Sequence, residues 1–132
     1  MSLIRRLKKN KGQSLVETAL VLPILLLILM GIIDFGMMFN NYLIVSNASR
    51  EGARNAAVGA TDSEINAIVS NVVSTLDSSR IVVEISPSET ERKKGDELVV
   101  KVKYEYRLIT PMISALLPNP INLIGTTVMR AE

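Results

Sequence analysis

Thr18-Ala19-Leu20-Val21-Leu22-Pro23-Ile24-Leu25-Leu26-Leu27-Ile28-Leu29-Met30-Gly31-Ile32-Ile33 is a run of sixteen uncharged residues dominated by Leu, Ile and Val. The apolar character extends past both ends: from Leu15 to Phe39 the chain covers 25 residues with Glu17 and Asp34 as its only charges. About 20 helical residues cross the hydrocarbon of a bilayer, so a helix over 15–39 can span one. Five cations, Arg5, Arg6, Lys8, Lys9 and Lys11, precede the run with no acid among them, whereas Arg50 and Arg54 are the only cations in the twenty residues after Asp34. Cations favour the cytoplasmic side. The N-terminus is therefore expected inside and the C-terminal part outside.

Two other readings compete. A cleaved secretory signal ends in a small-x-small site, yet here Ile33 leads into Asp34-Phe35-Gly36-Met37-Met38-Phe39. A buried core helix of a soluble protein could hold sixteen apolar residues, but the rest of a 132-residue chain could hardly cover every side of it. A membrane segment fits length and flanks best. Pro23 removes one helical hydrogen bond inside the run and predicts a kink.

Composition narrows the function. The chain is 48% hydrophobic, which allows one small domain beside the greasy segment, and it contains no Cys and no His. Disulfides, thiolate zinc sites, Cys nucleophiles and Ser-His-Asp triads are excluded. No catalytic, cofactor or metal residues are assigned, and an enzyme is not expected. Fifteen Lys+Arg against thirteen Asp+Glu give +2, too balanced for binding nucleic acid through its phosphates. The basicity is all in the first twelve residues.

Beyond the apolar run, Val45, Ala48, Ser49, Gly52, Ala53, Ala56, Ala57 and Ala60 recur at spacings of three and four. This is a helical stripe of mostly small residues, which lets another backbone approach closely. Its partner is either the chain's own C-terminal domain or a neighbouring subunit. If the helix is unbroken over 13–60, it extends about 72 Å, half of it beyond the bilayer. Thr61-Asp62-Ser63-Glu64 then predicts a fresh helix start through a capping box, followed by Ile65, Ile68, Val69, Val72, Val73 and Leu76 on one face.

Ile81–Ile85 and Leu98–Leu108 read as strands, the second alternating apolar residues with Lys101, Lys103, Glu105 and Arg107. One face of that sheet is expected to be wet. The polar stretch 87–97 predicts an exposed hairpin loop whose charges are solvated surface. Residues 110–120, with Pro111, Pro118 and Pro120, predict a loop with a short helical turn. Ile121–Met129 supplies a third strand, its pattern diluted by Gly125 and two threonines. The fold class is α+β: a long N-terminal transmembrane helix, then over 61–132 an amphipathic helix packed on a three-stranded antiparallel sheet.

Lys11-Gly12-Gln13-Ser14-Leu15-Val16-Glu17, the apolar run, Gly31-Ile32-Ile33-Asp34-Phe35-Gly36 and Ala48-Ser49-Arg50-Glu51-Gly52-Ala53-Arg54 together resemble the TadE-like proteins, pilin-like subunits of the tight-adherence (Tad/Flp) branch of type IV pili. The resemblance covers residues 8–57. It implies that residues 1–12 are a prepilin leader, cut between Gly12 and Gln13 by a membrane-embedded prepilin peptidase. It also implies partners: the bilayer, that peptidase, other pilin subunits and inner-membrane pilus assembly proteins. The implied location is the cytoplasmic (inner) membrane, with later incorporation into a pilus.

Glu17 is the sharpest residue, since a carboxylate near mid-bilayer costs up to about 3 kcal/mol. The resemblance gives it the role of neutralising the new α-amino group on Gln13 of a neighbouring subunit; the alternative places it at the headgroup boundary. Asp34 either makes a specific contact or marks the outer edge of the hydrocarbon. With Gly36, Gly52, Ala53 and Ala56 it is a candidate for membrane-exit and helix packing. Thr18 stands where major pilins of this branch carry an aromatic residue, and those pilins are far shorter. Both departures point to a minor pilin or pseudopilin, structural and non-catalytic. The alternative is a single-pass anchored extracytoplasmic binding module that never polymerises.

Overall fold

In the computed structural model, which describes residues 2–132 with side chains from Asn10 onward, a single helix α1 runs from Ser2 to Ala57. Four of the N-terminal cations, Arg5, Arg6, Lys8 and Lys9, lie outside the described side chains. At 1.5 Å per residue α1 is about 84 Å long. Leu, Ile, Met and Ala carry little helical penalty, and Pro23 stays inside the continuous helix. The helix begins before residue 13, so residues 2–12, expected as a leader, continue it rather than precede it.

The helix stops three residues short of the expected Ala60. Gly59 takes a positive φ of 94°, and the amides of Gly59 and Ala60 donate to the carbonyls of Ala56 and Asn55. That pair of bonds is the Schellman arrangement, which glycine permits because it has no Cβ to clash. Glu132 at the chain's end donates its amide to the Ala57 carbonyl at 2.9 Å, tying the C-terminus to the end of α1.

Thr61 then caps α2, Asp62–Val72, with both halves of the capping box formed against Glu64. A 3-10 turn at Ser78–Arg80 leads into β1 (Ile81–Ser86), β2 (Glu97–Tyr106), α3 (Pro111–Leu116) and β3 (Ile121–Arg130). The sheet is an antiparallel meander in the order β1-β2-β3. The central strand buries Leu98, Val100, Val102, Tyr104 and Tyr106 on one face and turns Lys101, Lys103 and Glu105 the other way, where Lys103 reaches Glu84 of β1 at 2.9 Å. The period-two pattern and the one wet face follow the sequence.

Two helices cover the buried face. The C-terminal part of α1 lies along β2 and β3, and α2, the amphipathic helix expected on the sheet, packs beside it against α1 and reaches the same core with Ile65 and Val69. Val45, Ala48, Ala53 and Ala56 of α1, Ile65 and Val69 of α2, and the inward residues of β2 form one hydrophobic core. The small-residue stripe is spent on the chain's own sheet. Toward the N-terminus the same helix is bare: Leu20 is 68% exposed, and Ile24, Leu29, Ile32 and Phe35 are exposed as well. That overturns the soluble-core reading, since none of the most apolar stretch is buried.

The hairpin loop departs from a purely solvated surface. The Arg92 side chain is only 7% exposed; its guanidinium donates to Asp62 Oδ1 at 2.8 Å and to the Ala60 carbonyl at 3.0 Å. The loop is folded back onto the start of α2.

Candidate functional site

Gly12, Gln13 and Glu17 lie on the exposed N-terminal part of α1. Gly12 has open space where a Cβ would stand. Gln13 and Glu17 are four residues apart, one turn along the same face. Next to them, Thr18 donates its hydroxyl to the Ser14 carbonyl at 2.9 Å, which satisfies the hydroxyl within the helix. Glu17 and Thr18 border a shallow apolar groove continued by Val21, Leu22 and Leu25. A carboxylate therefore tops a long hydrocarbon-like surface.

Asp34, seventeen residues further on, stands apart from its apolar neighbours. It is 1% exposed. Its Oδ1 accepts the Ile109 amide at 3.0 Å and its Oδ2 the Thr110 amide at 2.8 Å. The Tyr106 hydroxyl lies 3.3 Å from the Asp34 carbonyl and 3.5 Å from Oδ1. Burial, and then the nearby Asp34 carboxylate, hold the Tyr106 phenol above its ordinary value, so it remains a donor. A negative charge with two amides and a hydroxyl aimed at it is a well-satisfied buried ion. Of the two roles open to Asp34 in the sequence, the structure displays the specific contact: it clasps the chain leaving β2 onto α1.

Three glycines serve as contact points, and one expected contact is not made. A Cβ on Gly52 would stand 3.1 Å from Val69 and 3.2 Å from Val100, where α1, α2 and β2 meet. Ala53 and Ala56 are buried in the same core. Gly31 faces Ile113 of α3, 3.2 Å from the place of a Cβ. Gly36, grouped with these on sequence grounds, faces open space and packs against nothing in the described chain. Gly125 does the opposite of what strand patterning implied: it sits opposite Val102, and a Cβ there would lie 2.7 Å from the Val45 carbonyl oxygen. Two positions on, Thr127 shares a 2.8 Å hydrogen bond with Ser49 of α1.

Sequence reasoning missed Tyr106, Ile109, Thr110 and Gly125 as partners of α1. The signal for the first three was Asp34 itself, because an acid inside an apolar helix needs nearby donors; the inward position of Tyr106 on β2 was legible too. Among the described residues no group of three or more acids is close enough to hold a metal ion.

Residues 12–54 match the family model described as TadE-like protein. The matched segment runs from the Gly12 position through the apolar run and Asp34 to Arg54, ending within the stripe that packs on the sheet. No curated protein and no solved structure matches the chain.

Proposed function

We propose, from the match of residues 12–54 to the TadE-like family model, that the chain is a minor pilin or pseudopilin of a Tad/Flp type IV pilus, matured by prepilin peptidase at Gly12-Gln13. The family implies a protein associated with the Tad pilus, and such proteins are in general not enzymes. One N-terminal apolar helix fits a single-pass membrane anchor.

The observation that carries the reading is the division of labour along α1. Its end from Val45 onward is locked to the sheet, while most of its apolar side chains from Leu15 to Leu43 are exposed. A helix fixed to a folded head with a bare hydrophobic shaft can exchange lipid for the shafts of neighbours without unfolding the head. In lipid alone it is an anchor; bundled, it is a filament core.

Maturation fits the local physics. Hydrolysis breaks the Gly12–Gln13 amide, leaving a carboxylate on Gly12 and an α-amino group on Gln13. The bond lies within α1, so it must leave the helix to be cut, and Gly12 lowers that cost by about 1 kcal/mol relative to Ala. The leader takes its five cations with it. The new ammonium then starts a helix whose fifth residue is Glu17, and on entering an apolar bundle each needs a counter-charge; pairing Gln13 of one subunit with Glu17 of the next supplies it. Other pilin subunits, inner-membrane assembly proteins and the peptidase are the partners this predicts.

N-terminal sequencing of the protein recovered from membranes tests the reading. The expected mature terminus is Gln13. An intact Met1 would leave a non-polymerising anchor, and a cut beyond Ile33 would mean a removed signal; a cut past Asp34 would also discard that residue and its bonds to Ile109 and Thr110.

A further inference from the structure

The segment between β2 and β3 has a surface that water does not explain. Ile109 is 64% exposed, Met112 61% and Leu116 84%, and no charged residue occurs between Arg107 and Arg130. Clustered exposed apolar side chains of this kind mark a surface that meets another phase or partner. The cluster is joined to α1: Ile109, Thr110 and Pro111 share one apolar pocket with Met30, Ile33 and Asp34, and Ile113 abuts Gly31. Its apolar surface is thus continuous with that of the anchor.

Depth along α1 identifies the occupant. With Leu15, where the apolar segment begins, at one edge of the hydrocarbon, Asp34 lies nineteen residues away, about 28 Å along the axis, and the hydrocarbon is about 30 Å thick. Phe35, Met37 and Phe39, all exposed, continue the apolar surface past it. Asp34 therefore falls just inside the hydrocarbon on the domain's side, and so does the segment packed against it.

We propose that residues 108–120, with α3 at their centre, are a second membrane contact that dips into the leaflet on the domain's side and covers Asp34 there. The inference rests on α1 being the membrane anchor. Non-helical backbone survives at that depth only when its polar groups are paired. Here the Ile109 and Thr110 amides go to Asp34, the Leu108 amide goes to Asn119 Oδ1 at 3.3 Å, the Ser114 hydroxyl goes to the Pro111 carbonyl at 2.7 Å, and three prolines carry no donor. The acid and the two amides satisfy one another, so neither the carboxylate oxygens nor the two donors are left without a hydrogen-bond partner at that depth. The device fixes the depth and orientation of the head against the membrane.

The chain has no cysteine, so single reporters are unambiguous. Full-length Leu116→Cys, Leu25→Cys and Glu91→Cys are spin-labelled and reconstituted in phosphatidylethanolamine/phosphatidylglycerol vesicles. Collision with membrane-soluble oxygen is then compared with collision with an aqueous nickel chelate. The oxygen-to-nickel ratio at position 116 should exceed that at 91 several-fold and resemble that at 25. A water-like ratio at 116 beside a lipid-like ratio at 25 overturns the second contact and leaves the anchor standing. A label at 116 shielded from both agents means a protein copy covers the surface, which also overturns it. A water-like ratio at 25 removes the anchor and this inference together.

Discussion

Gly125→Ala separates two physical accounts of β3 by the sign of its effect. On strand energetics alone, replacing a mid-strand glycine by alanine stabilises by about 0.5–1 kcal/mol. Tertiary packing opposes this, since the added methyl would stand 2.7 Å from the Val45 carbonyl oxygen and 2.9 Å from the Ser46 Cα. Both are backbone atoms of α1 and cannot rotate aside, so the strand and the helix must separate. Overpacking costs about 1–3 kcal/mol, and rigid neighbours place this site at the upper end, leaving a net loss of about 2 kcal/mol. For a folded unit of 60–100 residues, 1 kcal/mol shifts the midpoint by about 4–8 °C, so a fall of about 8–16 °C is expected. Near-UV circular dichroism of the full chain in detergent reads it, because Tyr104 and Tyr106 are buried in the core while micelle-stabilised helix contributes little there. Gly36→Ala, with open space at its Cβ, is the control and should lose nothing. A Gly125→Ala midpoint equal to or above the parent would refute the close approach of α1 to β3.

Asp34→Ala removes the acceptor of the Ile109 and Thr110 amides; at about 1–3 kcal/mol per buried donor left unpaired, hydrogen exchange at 109 and 110 should accelerate well before that of β2, and unchanged exchange would contradict the clasp. Gly12→Leu should leave membrane insertion intact, because the apolar run is untouched, yet yield only precursor on an immunoblot; normal processing would show that the peptidase does not read this glycine. Glu17→Leu should be cleaved and remain in the membrane but drop out of sheared pili, since a Gln13 ammonium entering an apolar bundle unpaired costs about 3–5 kcal/mol. Wild-type recovery of that variant with pili would assign Glu17 to the headgroup boundary.

What the sequence by itself determined is everything that repeats with a local period or a local cap. Sixteen uncharged residues specify an apolar helix whatever surrounds it, Thr61 and Glu64 specify a helix start through bonds three residues apart, and alternation along 98–106 specifies which face of β2 is buried. What only the tertiary structure decided is where those faces meet. The small-residue stripe would suit a neighbouring subunit equally well as far as spacing goes; it faces the chain's own sheet because Gly125 opens a gap in β3 at the place where the α1 backbone arrives. Gly36 and Gly52 are alike in sequence terms, yet one faces open space and the other a three-way contact, a difference of rotation about the helix axis that composition does not encode. The fate of Asp34 was undecided for the same reason: its donors lie more than seventy residues away, and no local period links a helix position to a loop that distant until the sheet has folded and brought the two together.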